Sequence, residues 1–295
     1  MKFIWSSAYE VDLFGHVFPI SKYRLVKDAV ISEGLAREED IVAPEEASRD
    51  DLLLAHTPEY VDDLLNLRWT ERTVRSELAL TREIIHAYVL TAGGTIAASR
   101  FALSDGISIH LGGGFHHAFP DHAEGFCYVN DVAVAIARML ADKAIGRACV
   151  IDCDLHQGNG TAVAFAGVPE VFTFSIHQEN NYPPKEKSDL DIGLSDGADD
   201  ALYLEKLEVV GAILDKHKPD FCLYLAGADP YRCDVLGGLS LSKEGLRKRD
   251  ALVLEQCRSR KVPACVVLAG GYAEDVRDVV DIHVNTAREA RRLFG

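Results

Sequence analysis

The sequence ACVIDCDLHQGNG, residues 148–160, joins a short apolar run to a cluster of polar side chains. The run Ala148–Cys153 is brief and rich in Val, Ile and Cys, which is typical of a strand buried on both faces in a parallel sheet. The polar residues Asp154 and His156 follow at once, where such a strand would end. This stretch therefore predicts a buried parallel strand that carries chemically active side chains to one edge of a sheet.

The same alternation of short apolar runs with longer amphipathic segments extends along most of the chain. Four more strands are expected at Ile107–Leu111, Val171–Ile176, Phe221–Leu225 and Ala264–Leu268. Helices are expected at Ser76–Leu103, which Gly93-Gly94 could divide in two, and at Asn130–Ala141, Ala201–His217 and Ser242–Arg260. This order predicts an α/β fold with a single open, mostly parallel sheet and helices on both faces. No linker or repeat interrupts the pattern, so residues 1–295 are expected to form one domain, in which Gln178–Asp200 is a long surface loop.

The composition is that of an ordinary globular protein, with 48% hydrophobic and 26% charged residues among 295. Asp and Glu number 46 against 31 Lys and Arg, so the net charge is −15. This acidity argues against direct binding to nucleic-acid phosphates and is compatible with cationic substrates or basic protein tails. No signal peptide and no apolar run of the ~18 residues that a membrane helix needs is visible, so a cytoplasmic protein without a membrane span is expected. The seven cysteines form no C-x-x-C pair and are expected to be buried, reduced thiols.

Polar residues follow four of the predicted strands, at the edge where ligands bind in an open parallel sheet. They stand in the segments Gly112–His117, Asp154–Gly160, Gly227–Asp229 and Gly270–Tyr272. One such loop would mean little, but four together predict a functional site at this edge.

A metal site is the first prediction for this edge. Asp152, Asp154 and His156 alternate along an extended backbone and therefore point to the same side. Asp154 and His156 with Asp229 make a set of one histidine and two carboxylates, and three protein ligands with an open position are typical of catalytic zinc. The same donors tolerate Fe(II) or Co(II). The alternative is that the aspartates only cap the end of a strand.

The pair His116-His117 follows three glycines, which let the backbone approach a bound group closely. Beside a metal these histidines are interpreted as a general acid/base pair that titrates near neutral pH. A surface accident or a buried structural pair is the alternative. Tyr272 follows two glycines and is interpreted as a phenol that donates a hydrogen bond to a developing oxyanion, with a core tyrosine as the alternative.

Taken together, these motifs resemble the histone deacetylase superfamily, which shares the arginase-type open α/β sheet. The resemblance runs from His56-Thr57-Pro58-Glu59-Tyr60 to Gly270-Gly271-Tyr272. It rests on GGGFHHA at 112–118, GFCYVND at 125–131, IDCDLHQGNG at 151–160 and GADPYRCDVLGG at 227–238. HQGNG in place of the commoner HHGDG, together with Gly237-Gly238-Leu239-Ser240, is most similar to class IV deacetylases and their bacterial relatives.

The resemblance implies a role for each matching residue in a zinc-dependent amide hydrolysis. Zinc would be held by Asp154, His156 and Asp229, and Tyr272 would polarise the acyl carbonyl. His117 would be the general base and later protonate the leaving amine. His116 would be its electrostatic partner, hydrogen-bonded to Asp152.

The resemblance also implies the surroundings of the reacting atoms. Phe126, Leu236 and Tyr182 would line a narrow tunnel for the acylated side chain, and the backbone at Gly125 would contact the substrate amide. A monovalent cation, K⁺, would lie beneath the zinc at Asp152, Asp154, His156, Ser175 and the backbone of Ile176.

Two positions depart from the commonest motif, Gln157 in place of a histidine and Asn159 in place of a carboxylate. An amide at 159 can still accept a hydrogen bond from the imidazole of the base, but it supports an imidazolium less than a carboxylate would. The leading hypothesis is therefore a zinc-dependent amidohydrolase that removes an acetyl or longer acyl group from acyl-lysine or a related amine. Acetylpolyamine deacylation and long-chain deacylation are alternatives. A catalytically silent acyl-lysine-binding module is disfavoured, since no zinc ligand and no catalytic residue is missing.

Overall fold

The chain forms eight strands and ten α-helices in a computed structural model that describes residues 1–295. The strands are β1 Lys2–Ile4, β2 Ile41–Val42, β3 Ile107–His110, β4 Ala148–Asp152, β5 Val171–Gln178, β6 Leu190–Leu194, β7 Phe221–Leu225 and β8 Ala264–Val267. The helices are α1 Lys22–Ser32, α2 Arg49–Leu52, α3 Pro58–Leu65, α4 Arg82–Asp105, α5 Asp131–Ala141, α6 Asn159–Ala164, α7 Asp200–Leu207, α8 Val209–His217, α9 Lys243–Ser259 and α10 Val276–Phe294.

All eight strands join one open sheet in the order β2-β1-β3-β8-β7-β4-β5-β6, and every neighbouring pair is parallel. The helices cover the sheet in two groups. Helix α4 packs on α5 and on β1, β3 and β8, whereas α10 packs on α1 and α9, with α7 and α8 beside α9. The predicted α/β fold, an open parallel sheet between helices, is confirmed.

The five predicted strands form the middle of the sheet as β3, β8, β7, β4 and β5. They are buried over nearly their whole length, so an unbroken apolar run identified each of them. The three strands that were not predicted lie at or near the edges. β1 and β2 are only three and two residues long. β6 is half exposed and lies inside Gln178–Asp200, so the expectation of one continuous loop there is wrong.

Helix α4 runs without a break through Gly93-Gly94, where a division was considered. The two glycines serve close packing rather than a turn. A Cβ at Gly93 would overlap the backbone oxygen of Glu45, and one at Gly94 would meet the Tyr9 hydroxyl and the His110 ring. The absence of side chains therefore allows the helix to lie directly against the 43–47 segment and β3.

The segment predicted as one helix at Ala201–His217 is two helices, α7 and α8, which meet at Glu208. No helix of the chain combines the length and the apolar character needed to span a bilayer. Six of the seven cysteines are buried and all are unpaired, as expected, but Cys233 is exposed.

Candidate active site

The four polar loops predicted from the sequence meet at the carboxyl edge of the sheet. They follow β3, β8, β7 and β4, which are consecutive neighbours in the sheet, so the loops are brought side by side. The parallel pairing makes this inevitable, since every strand in the set ends at the same edge.

Asp154 and His156 from the loop after β4 converge with Asp229 from the loop after β7. One ligand atom from each residue lies within 4.8 Å of the others, and all three side chains are buried. The His156 Nδ1 atom is 3.3 Å from Asp154 Oδ1 and 3.3 Å from Asp229 Oδ2. Asp229 Oδ2 has no hydrogen-bond partner although it is buried. A buried carboxylate oxygen without a partner is costly, and a divalent cation would compensate it.

Burial and the neighbouring charges determine the pKa values of the carboxyl groups in this donor set. Burial raises the pKa of Asp229 to about 7, and the neighbouring Asp154 adds to the effect. Burial also opposes ionisation of Asp154, but His116 and His156 outweigh it and hold the pKa of that carboxyl well below its usual range. The set therefore places two carboxyl groups and one imidazole in a dry pocket, and one nitrogen with two carboxylate ligands fits a divalent metal such as zinc.

Backbone groups fix the orientation of both carboxylates. The Gly270 N–H donates to Asp154 Oδ2 over 2.8 Å, and the Leu155 N–H donates to Asp229 Oδ1 over 2.9 Å. The His156 N–H donates to Asp154 Oδ1 over 2.9 Å. These bonds leave the carboxylates pre-oriented, as the outer partners of metal ligands commonly do.

The adjacent histidines are held by different partners. His116 Nδ1 donates to Asp152 Oδ2 over 2.7 Å, whereas His117 Nδ1 donates to Asn159 Oδ1 over 2.7 Å. The two Nε2 atoms face each other at 3.1 Å. Burial lowers the pKa of His116, but Asp152 and Asp154 outweigh it and bring that pKa to about 9. Burial and the neighbouring imidazoles hold the pKa of His117 well below its usual value. The pair therefore combines one charged and one neutral ring.

Tyr272 is buried beside these groups and is held through its backbone, since its N–H donates to Asp234 Oδ2 over 2.6 Å. Its ring packs edge-on against Phe18 and Phe126, with centroid distances of 5.9 and 6.2 Å. Burial, reinforced by Asp229, raises the pKa of this phenol well above its usual value. The hydroxyl group therefore keeps its proton and remains a hydrogen-bond donor.

A cavity of about 240 Å³ leads from the surface to these residues. Its lining comprises Glu77, His117, Gly125, Phe126, His156, Asn181, Tyr182, Leu236 and Tyr272. The four residues expected to bind substrate, Gly125, Phe126, Leu236 and Tyr182, are all among them. The ring of Tyr182 lies 5.3 Å from that of His117, and its hydroxyl donates to Glu124 over 3.1 Å. Glu77 and Asn181 were not predicted, because neither belongs to a strand end or to a quoted motif.

A smaller cavity of about 20 Å³ adjoins the first. Its lining includes the donor-set residues Asp154 and His156, the site residues His117 and Tyr272, and also Phe18, Phe115 and Ala269. Lys22, which is fully buried, donates to the backbone oxygen of Ala269 over 2.6 Å. Its Nζ lies 5.1 Å from the centre of the Phe18 ring. Burial lowers the pKa of Lys22 to about 8. The sequence analysis missed Lys22, since a lysine in the first turn of a helix is ordinarily solvent-exposed.

The residues expected around a monovalent cation lie on the neighbouring strands β4 and β5 and, for Asp154 and His156, in the loop after β4. Asp152 and Ser175 are paired across these strands, and Ile176 follows Ser175. The Ser175 hydroxyl lies 2.9 Å from His177 Nδ1. The cation itself stays a prediction.

Comparison with known proteins adds a finding that is independent of this geometry. A family model described as the histone deacetylase domain matches residues 16–287. An uncharacterized protein of Picosynechococcus is 37% identical over 282 residues, which cover 95% of this chain and 94% of that protein. Histone deacetylase 2 of Arabidopsis thaliana is 29% identical, over 97% of this chain and 78% of its own length. The crystal structure of the HDA15 HD domain shares the fold with a TM-score of 0.79 at 22% identity, covering 98% of this chain and 90% of that one.

Proposed function

This chain belongs to the histone deacetylase family, and from that premise we propose that it is a zinc-dependent amidohydrolase that removes an acyl group from an acylated amine. The observation that carries the proposal is the buried donor set of Asp154, His156 and Asp229 at the inner end of a narrow tunnel. His117 and Tyr272 line the same tunnel, so an acid/base group and a hydrogen-bond donor stand beside the donor set.

Zinc is the metal that this donor set favours, because one imidazole and two carboxylates leave a fourth position open. When bound, the metal supplies Lewis-acid polarisation of the acyl carbonyl and lowers the pKa of the attacking water. Fe(II) or Co(II) would be held by the same donors. A structural K⁺ at Asp152 and Ser175 belongs to the same proposal.

His117 moves the proton in this mechanism. Its Nδ1–H is committed to Asn159, so Nε2 carries the lone pair. In this structure that lone pair faces the Nε2–H of the charged His116 at 3.1 Å, and in the proposed reaction it accepts a proton from water. The low pKa of His117 keeps the ring neutral and ready to act as a base. His116 is charged and hydrogen-bonded to Asp152. It lies close enough to His117 to lower the pKa of that ring, and its positive charge stabilises the negative charge that forms as the carbonyl is attacked. The proton is then returned from His117 to the leaving amine.

Tyr272 stabilises the oxyanion that forms on the acyl carbonyl. Its phenol is protonated, buried and fixed by the Asp234 contact, so donating a hydrogen bond requires little reorganisation. A donor of this kind acts mainly in the transition state, where the carbonyl oxygen becomes negative.

The smaller cavity favours a short acyl group. This cavity is small, about 20 Å³, and Phe18, Phe115 and Ala269 wall it beside the donor set. A short acyl group such as acetyl suits these walls better than a long acyl chain. The long-chain deacylase is accordingly the least favoured of the alternatives.

The amine on the other side of the amide bond extends through the tunnel to the surface. Aromatic walls at Phe126 and Tyr182 suit an alkyl chain such as that of lysine. The Glu77 carboxylate in the tunnel lining favours an acetylated polyamine as the second candidate, because such a substrate carries a further positive charge.

The test is a side-by-side assay of zinc-loaded protein on acetyl-, butyryl- and myristoyl-lysine peptides and on acetylated polyamines. We expect release of acetate with His117→Ala as an inactive control. Absence of hydrolysis on every substrate, with zinc bound, would contradict the proposal.

A further inference from the structure

Gln157, which follows the predicted metal ligand His156, turns its amide toward the 179–189 loop, the segment between β5 and β6. Its Nε2 donates to the backbone oxygen of Glu186 over 2.5 Å and to Asp191 Oδ1 over 2.7 Å. Its Oε1 accepts the Glu186 N–H over 2.8 Å. Gln157 is only 1% exposed, although its partner Glu186 lies at the surface, so these bonds are partly shielded from water. One amide thus holds both backbone polar groups of a single loop residue.

The 179–189 loop is also braced from within. The Lys185 ammonium donates to the backbone oxygens of Asn181 and Pro183 over 2.8 and 3.1 Å. The Tyr182 N–H donates to Asn181 Oδ1 over 2.7 Å, and Asn181 Nδ2 donates to the Leu236 oxygen over 2.9 Å. These contacts link residues 181, 182, 183 and 185, so we expect a displacement of the neighbouring residue 186 to reach residue 182.

Tyr182 is the part of this loop that reaches the site. Its ring lies 5.3 Å from His117 and 6.2 Å from His156, and the residue is 37% exposed. The side chain of Tyr182 makes one hydrogen bond, from its hydroxyl group to Glu124. The position of this tunnel wall therefore depends on how firmly its loop is held.

The geometry points to Gln157 as a positioning residue that sets the place of Tyr182 in the tunnel wall through Glu186. An amide suits this task because it offers two donor hydrogens and an acceptor in one plane. A histidine at the same position offers one donor and one acceptor when neutral, or two donors when protonated, and in neither state can it make all three contacts. The inference rests on the proposed function, because Tyr182 matters only if the tunnel holds an acylated side chain.

The first experiment is a double-mutant cycle between Gln157→Ala and Tyr182→Ala. Binding of a fluorescent acetyl-lysine peptide to zinc-loaded protein is measured in the Tyr272→Phe background, which keeps the peptide intact. Each single replacement should raise Kd by roughly tenfold, the scale of one or two lost hydrogen bonds. The double replacement should be no worse than the weaker-binding single, because Gln157 acts through Tyr182. Multiplicative effects, or an unchanged Kd in Gln157→Ala, would overturn the inference.

The matched control is Gln256→Ala. It removes a glutamine amide on helix α9 that accepts a hydrogen bond from Arg260. It should leave Kd unchanged and combine with Tyr182→Ala without coupling. Gln157→His serves as the second variant if Gln157→Ala does not fold. Its Kd for the peptide should lie between those of Gln157→Ala and the parent.

Amide hydrogen exchange provides a readout that needs no activity. In Gln157→Ala the Glu186 N–H loses its acceptor, so exchange across 179–189 should accelerate by at least about tenfold while exchange in α9 is unchanged. Unaltered exchange in the loop would overturn the inference. A parent protein that neither binds nor hydrolyses acyl-lysine would instead contradict the proposed function, and the exchange result would still decide the role of Gln157.

Discussion

The Tyr272 hydroxyl is a single group whose removal leaves the shape of the site unchanged. Tyr272→Phe should lower kcat by about 10²–10³ with little change in KM, because the donated hydrogen bond strengthens only as the oxyanion forms. Steady-state kinetics on an acetyl-lysine peptide measure this. Tyr60→Phe is the matched control, since it removes another buried hydroxyl that donates to the Tyr128 oxygen over 2.6 Å, away from the donor set. That variant should lose about 1 kcal/mol of stability and keep its kcat. A kcat within a few-fold of the parent in Tyr272→Phe would assign the phenol a structural role.

Asp229 differs from the other metal-binding candidates in having a buried oxygen without a partner. Asp229→Ala should leave two ligands, which hold zinc poorly, so zinc content should fall from about one per chain to near zero. Metal analysis after dialysis against a weak chelator measures this directly. The exposed pair of Arg100 and Asp142 offers the control, and Asp142→Ala should retain its zinc. Full occupancy in Asp229→Ala would remove Asp229 from the ligand set.

Two histidines outside the site stay uncharged in the folded protein. Burial lowers the pKa of His56 to about 4 and that of His110 to about 3. His110 lies between the Tyr9 hydroxyl and Thr95 Oγ1, at 2.8 and 2.9 Å. Below pH 6.5 the unfolded chain binds a proton at each of these residues and the folded chain does not, so acid favours unfolding.

The free energy of unfolding should therefore fall between pH 6.5 and 5 by up to about 1.4 kcal/mol per pH unit for each histidine. Urea unfolding of chelator-treated protein at several pH values measures the slope. His56→Gln should reduce the slope of unfolding free energy against pH by the contribution of one histidine, up to about 1.4 kcal/mol per pH unit. An equal slope in parent and variant would show that His56 is charged in the folded state.

At the scale of secondary structure, the close approach of α4 to the 43–47 segment depends on Gly93. Gly93→Ala should destabilise the protein by roughly 2–4 kcal/mol, because the new Cβ overlaps backbone atoms that cannot move independently. The control is Gly211→Ala in α8, where the Cβ would meet the movable end of Gln256 at 2.7 Å. There the better helix propensity of alanine should make the change neutral or stabilising by up to about 1 kcal/mol. Urea unfolding compares the two, and equal effects would contradict the packing argument.

The central elements were predictable because each carries its own signal. β4 and β7 are buried on both faces and are read directly from apolar runs. β6 alternates exposed and half-buried residues and is surrounded by Asn, Pro and Asp, so no local signal separates it from a loop. Its strand character comes from pairing with β5, which is a tertiary effect that outweighs local preference.

The same distinction, between a local sequence signal and a tertiary effect, separates the site residues that were predicted from those that were missed. Four site residues could be predicted because they follow strands of a parallel sheet, and the carboxyl ends of those strands lie at one edge. These residues are Asp154, His156, Asp229 and Tyr272. Lys22 and Glu77 come from a helix and a loop that reach the site only through packing. No spacing along the chain marks a residue whose function depends on an element packed against it.

At the scale of the whole molecule, the proposed function assigns the amine side of the substrate to the larger cavity and the acyl group to the smaller one. A butyryl group has two more methylenes than an acetyl group to place beside Phe18 and Phe115, in a cavity of only about 20 Å³. Overpacking typically costs about 1–3 kcal/mol, so kcat/KM for a butyryl peptide should be roughly 10- to 100-fold below that for acetyl. Competition kinetics give the ratio, and Phe18→Ala should reduce it by enlarging the cavity. A preference for myristoyl over acetyl would contradict this reading of the cavity and leave the hydrolase proposal intact.

The ligand set also spans a large distance along the chain, since Asp229 follows Asp154 by 75 residues and lies on a different strand. A chain in which β7 has not yet docked against β4 offers at most two of the three ligands. Contacts between distant residues form late in folding, because the loops that they close are long. In the proposed zinc enzyme, capture of the metal therefore waits for the pairing of β7 with β4, which brings all three ligands together.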